Sequence, residues 1–145
     1  MTIDEIFSVA EEKGLSVKRW GGSQLLDYNG FTHEQRVRKW QAIDLAVRMG
    51  LEIPAEKLSC SVCGAPPSPS IAYHSEDYGT MNGHYPVCRS CHTKIHNRFK
   101  NPERWIDFVS SIGNGEKWFE GLQNSDNSVL SGEAAFSTTT NFTNK

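Results

Sequence analysis

Cys60-Ser-Val-Cys63 and Cys88-Arg-Ser-Cys91-His92-Thr-Lys-Ile-His96 are the stretches that decide how this chain folds. Each CxxC turn offers two thiolates from one tight loop, and two such turns supply the four soft ligands of a tetrahedral Zn²⁺ site. The 24 residues between Cys63 and Cys88 leave room for a β-hairpin. Ile71-Ala-Tyr73 and Tyr85-Pro-Val87 are its candidate strands, flanking a loop that holds Gly79 and Gly83. Two disulfides, unpaired buried thiols and c-type haem attachment at Cys88-Arg-Ser-Cys91-His92 are competing readings of the same cysteines. Structural zinc is preferred to them because the two knuckles match. The N-terminus also shows no basic start followed by an apolar block, so a reducing cytoplasm is expected, where cysteine pairs bind metal.

Working outward, composition agrees with a metal-stapled domain. The 145 residues suit one domain with appendages, yet only 37% are hydrophobic. A metal replacing part of the core, or an unfolded portion of chain, accounts for so low a share. Zinc held by four thiolates contributes roughly 10 kcal/mol or more of folding free energy. No apolar run approaches the ~18 residues of a membrane span. A formal charge of −2 and a pI near 6.2 argue against a general polyanion binder. The charge is uneven, however: residues 86–104 carry Arg89, Lys94, Arg98, Lys100 and Arg104 against Glu103 alone. Residues 33–50 carry Arg36, Arg38, Lys39 and Arg48 against Glu34 and Asp44. Such local basic faces can contact phosphates, or can simply be solvated surface.

Helix signals flank the cysteine-bearing stretch. Thr2-Ile-Asp-Glu5 and Thr32-His-Glu-Gln35 have capping-box spacing. The first opens a helix with Ile3, Ile6, Phe7 and Ala10 on one face; the second opens one with a Val37, Trp40, Ile43 and Val47 stripe, read as core. Gly21-Gly22 and Asn29-Gly30 mark turns between them. A helix from Cys91 carrying Ile95 and Phe99 is expected, then another capped by Asn101 with Pro102 at its first position. Trp105, Phe108, Val109 and Ile112 follow at helical spacing with Gly113 as the stop, and Trp118 and Phe119 are expected to dock back on the core. The resulting divisions are a helical region 1–58, a zinc-bound module 59–100, a C-terminal helix 101–123 and an Asn-, Ser- and Thr-rich disordered tail 124–145.

Within the hairpin, Tyr73-His74-Ser75-Glu76-Asp77-Tyr78 gathers the chemistry. His74 ends a strand, so its imidazole is expected in solvent beside the metal helix. His92 and His96, four apart, share one helix face. Glu76 and Asp77 are hard oxygen donors or solvated loop charges, and Asn82 can orient a histidine. Phosphodiester hydrolysis needs a base for water and a cation for the developing charge. His74 suits the first task and His92 with an acid the second.

Taken together, Cys60 to His96 resembles the zinc-knuckled form of the HNH (ββα-metal) nuclease family. The run His74-Ser-Glu-Asp-Tyr78 with Pro86-Val-Cys-Arg-Ser-Cys-His-Thr-Lys-Ile-His96 is similar to small phage zinc-binding proteins often labelled HNH endonucleases. The resemblance covers roughly 40 of the 145 residues. It implies an α+β fold, a ββα-metal core stapled by Cys60, Cys63, Cys88 and Cys91 around structural zinc, with flanking N- and C-terminal helices. It further implies His74 as general base, Asn82 as the orienting asparagine and His92 as ligand of a catalytic Mg²⁺ or other divalent ion. Many members carry an acid or second histidine where this chain has Tyr73, so Asp77 or His96 is expected to complete the ligand set. The expected activity is single-metal hydrolysis of DNA, duplex by preference, in the cytoplasm of a bacterial host. Arg36, Lys39, Arg89, Lys94, Arg98 and Lys100 are the expected phosphate contacts. The alternative is a non-catalytic zinc-stapled module that binds nucleic acid or protein.

Overall fold

A computed structural model describes residues 1–112 and 116–122. The expected stop at Gly113 and the expected tail 124–145 lie outside the described residues. Among the described residues, four α-helices and one two-stranded antiparallel sheet make a small α+β fold.

Helix α1 (Ile3–Glu12) and helix α2 (His33–Arg48) both begin with complete capping boxes, Thr2 with Glu5 and Thr32 with Gln35. These reciprocal bonds satisfy amide donors that no helical carbonyl reaches, which fixes both start points. Ile3, Ile6 and Ala10 of α1 pack on Ala42, Leu45 and Ala46 of α2 to form a first apolar core. The α2 stripe read from the sequence is rotated in the fold. Ile43 is buried, but Val37, Trp40 and Val47 are half-buried, and Arg36 and Lys39 occupy the interior beside Ala42 and Ala46.

The connection from 15 to 31 has little regular structure, yet α2 grips it at several points. Arg48 donates to the Ser16 carbonyl, Gln41 to the Lys18 carbonyl and Arg36 to the Leu26 carbonyl, while the Leu25 amide donates to His33 Nδ1. At its end Asn29 (φ +53°) and Gly30 (φ +82°) turn the chain so that Tyr28 and Phe31 exchange backbone bonds. Both residues need positive φ there, which Asn-Gly tolerates.

Strands β1 (Ala72–Ser75) and β2 (His84–Val87) pair with His74 opposite Tyr85 and Ser75 opposite His84. Gly83 (φ +69°) closes the loop between them, and a Cβ there would lie 2.9 Å from the Asp77 Cβ. Helix α3 (Arg89–His96) starts earlier than expected because Cys88 is its cap, its sulfur accepting the Cys91 amide. Helix α4 (Pro102–Ser111) follows with proline in its first turn as expected; Asn101 holds the cap position, but its side chain makes no capping bond. A second core of Ala55, Val62, Ile71, Val87, Ile95, Trp105 and Phe119 encloses Cys60 and Cys91. Phe119 is buried there and Trp118 stacks on Tyr85 at 4.0 Å, so the C-terminal segment does return to the core.

Between the two apolar cores runs a polar seam. Lys39, fully buried, donates to the carbonyls of Asp77, Thr80 and Asn82 at 2.6, 2.7 and 2.7 Å. Burial pulls its ammonium down to about 8, with Asp77 and Glu52 opposing that shift. One side chain thus stands in for the missing partners of three loop carbonyls, which buried backbone cannot leave unmet.

Candidate metal centre

The two CxxC turns converge. All four sulfurs of Cys60, Cys63, Cys88 and Cys91 lie within 4.8 Å of one another, and none forms a disulfide. Cys63 and Cys88 Sγ are 3.8 Å apart, matching the tetrahedral edge of about 3.8 Å that Zn–S bonds of about 2.3 Å require. Gly64 (φ +78°) completes the first knuckle, where its amide donates to the Cys60 carbonyl. The Ser61 amide and hydroxyl both reach the Pro86 carbonyl, tying that knuckle to β2. Burial opposes ionisation of Cys60, yet the amides of Cys63, Cys88 and Val62 bring it down to about 7. Burial and the charge of Cys60 push Cys91 far up. Four sulfurs gathered in one shell fit a divalent cation, which lets all of them ionise together.

A second cluster stands apart from the sulfurs. The ligand nitrogens of His74, His92 and His96 also fall within 4.8 Å of one another. His92 and His96 approach Nε2 to Nε2 at 3.0 Å, close to the edge of about 3.3 Å set by metal–nitrogen bonds of 2.0–2.1 Å. Desolvation, the imidazoles of His74 and His92, and the guanidiniums of Arg36 and Arg98 hold His96 well below the usual histidine range. That keeps it in the neutral form a metal ligand needs.

His74 is buried, at 1% exposure, and this corrects the expectation that its ring stands in solvent. Its Nε2 lies 2.5 Å from Glu76 Oε2, while its Nδ1 is buried without a hydrogen-bond partner. Trp118 stacks on the ring, and the edges of Tyr28, His92 and His96 surround it. Glu76 is no solvated loop charge. Tyr28 donates to its Oε2 at 2.5 Å and Asn29 to its Oε1 at 2.7 Å, and Arg98 donates to the Tyr28 hydroxyl at 2.9 Å. Burial works against the Glu76 carboxylate, but the hydrogen bond from His74, the charge of Arg98 and the Tyr28 bond bring it to about 2. A carboxylate so fixed selects the His74 tautomer with hydrogen on Nε2, leaving the Nδ1 lone pair to a cation or a proton. An orphaned, buried nitrogen in a cluster of imidazoles is what a bound ion or a water would satisfy.

The remaining sequence candidates lie elsewhere. The Asp77 carboxylate accepts from the Gly79 amide and the Thr80 hydroxyl, shaping the loop rather than joining the imidazoles. Asn82 is exposed and is held through its backbone, its amide on Thr80 Oγ1 and its carbonyl on Lys39. Of the basic candidates, Arg89 and Lys100 are exposed and Lys94 half-exposed. Arg36, Lys39 and Arg98 are buried, at 7, 0 and 2% exposure, so these three are corrected from surface phosphate contacts to internal donors. Tyr28 and Asn29 were missed as site residues. The Asn29-Gly30 turn signal marked the place, but nothing local reveals that it faces Glu76. Compared with known proteins, the chain matches no family model, no curated protein and no solved structure.

His74, His92 and His96 are among the residues that line a cavity of about 540 Å³ between α2, β1 and α3, which Trp20, Trp40 and Tyr78 also line. Among the described residues, no helix is long and apolar enough to cross a membrane.

Proposed function

We propose that this chain is a metal-dependent endonuclease of the HNH type, hydrolysing phosphodiester bonds of DNA beside a zinc-stapled hairpin. The observation that carries the reading is the arrangement of His74, His92 and His96 around one cavity, with His74 anchored on Glu76. His92 and His96 would hold the catalytic ion. Imidazole donors suit Zn²⁺, Ni²⁺ or Co²⁺ better than Mg²⁺, which prefers oxygen. Such an ion, when bound, supplies a Lewis acid for a phosphoryl oxygen and its leaving group. The protein's own part is proton transfer and orientation. Glu76 holds the Nε2 hydrogen of His74, so Nδ1 takes the proton from an attacking water. Tyr28, Asn29 and Arg98 keep Glu76 ionised and aimed. Trp118 and Tyr28 wall the ring so that it cannot rotate away.

A second reading draws on the burial of His74: the three imidazoles would hold a second structural zinc, and the module would bind without cleaving. Plasmid and oligonucleotide cleavage across Zn²⁺, Ni²⁺, Co²⁺, Mn²⁺ and Mg²⁺, paired with metal counts, separates the two. For the nuclease, His74→Ala abolishes cleavage and retains the second ion, whereas His92→Ala loses both. No cleavage with any metal, and loss of the second ion from His74→Ala, would establish the structural alternative.

A further inference from the structure

The cavity facing the imidazoles has a wall that neither apolar core uses. Trp20 and Trp40 belong to neither of the two clusters, yet both are held in fixed positions. The Trp20 ring folds back over Gly22, where a Cβ would meet it at 2.8 Å, and its Nε1 donates to the Ser23 carbonyl. It meets Trp40 edge-on, with centroids 5.0 Å apart at 88°. Lys18, exposed at the rim, sets its ammonium 4.9 Å from the Trp40 ring centre. The carbonyl of Lys18 accepts from Gln41, which ties the irregular segment to α2. Two perpendicular indoles and a cation line the same cavity as the three imidazoles, a set of groups that complements an aromatic base joined to a phosphate.

Resting on the hydrolytic reading above, we infer that this cavity takes one unpaired nucleotide of the substrate strand, its base against Trp20 and Trp40 and its phosphate toward the imidazoles. Stacked bases inside a duplex cannot reach an indole lining a recess, whereas unstacked ones can. The volume, about 540 Å³, falls in the range of about 300–1,000 Å³ for small-ligand sites. Internal placement of Arg36, Lys39 and Arg98 weakens the outer charge that would grip a duplex backbone. The strand also has a path onward. Thr93 and Asn97 of α3 line both this cavity and a neighbouring one of about 360 Å³, where Lys94, Arg104 and Phe108 offer cations and a ring to the next nucleotide. The preferred substrate is therefore single-stranded or locally unpaired DNA, not intact duplex.

Tryptophan fluorescence of the zinc-loaded full chain, titrated with a single-stranded DNA dodecamer and with the same strand annealed to its complement, tests this. Quenching by the single strand at tenfold or more lower concentration than by the duplex is expected. Trp40→Ala should weaken single-strand binding by on the order of tenfold. Lys18→Ala, altered at an exposed side chain, should weaken it severalfold with an unchanged melting temperature, which separates loss of the site from loss of the fold. Equal affinity for both DNA forms, or unchanged single-strand affinity in both variants, would overturn the inference. Retained single-strand preference in a protein that cleaves nothing would support the pocket while removing the hydrolytic proposal.

Discussion

Lys39 and Glu76 carry opposite charges into the interior for different reasons. Lys39 ends three loop carbonyls at once, so replacing it with a chain of similar bulk and no donor should be costly. Each buried carbonyl left unmet costs about 1–3 kcal/mol. Lys39→Met is thus expected to lower stability by about 3 kcal/mol or more, read from thermal or urea unfolding. Glu76→Gln tests chemistry in place of stability. The amide would offer a hydrogen to His74 Nε2 and favour the tautomer protonated at Nδ1, where the lone pair is needed. Cleavage should fall by about 10²- to 10⁴-fold with the metal content unchanged, measured by single-turnover kinetics beside metal analysis. An unaltered rate would remove His74 from proton transfer.

At the level of elements, the cysteine knuckles organise the C-terminal half. The second core is small and wraps Cys60 and Cys91, so removing their ion should unfold the hairpin, α3 and α4 together. A strong chelator, or Cys91→Ser, is expected to abolish the cooperative melt of that half, given roughly 10 kcal/mol from a structural zinc. Retention of hairpin amide protection after complete metal removal would contradict this. These elements were legible because their signals are local. Two capping boxes, two CxxC turns, Asn101-Pro102 and Asn29-Gly30 each act within a few residues, and each stands where it was expected. His92 and His96 likewise follow from helix periodicity alone. Lys39 with Asp77, Tyr28 with Glu76, and Arg98 with Tyr28 are 38, 48 and 70 residues apart, and no periodicity encodes such pairings. For the same reason, buried Arg36, Lys39 and Arg98 read from sequence as a basic face. Trp40 read as core because it shares the helical period of Ile43, although tertiary packing turns it toward the cavity.

Over the whole molecule, two small apolar cores are joined by a seam of buried ions and carbonyls, and the candidate site lies along that seam. Arg36, Lys39 and Arg98 are drawn inward, which takes three of the six expected phosphate contacts off the surface. DNA affinity should accordingly depend weakly on salt: for contacts with two or three phosphates, a log–log slope of about −1.4 to −2 is expected for single strands. A slope steeper than about −4, measured by titration from low to moderate salt, would point to a broad electrostatic footprint instead. An ion held by the imidazoles, apart from the one among the sulfurs, is the requirement on which the proposal rests. Zinc-edge anomalous diffraction from crystals of the metal-loaded chain addresses it directly. Two peaks are expected per chain, one among the sulfurs of Cys60, Cys63, Cys88 and Cys91 and one beside the Nε2 atoms of His92 and His96. A single peak among the sulfurs, with His92 and His96 hydrogen-bonded to each other, would contradict it.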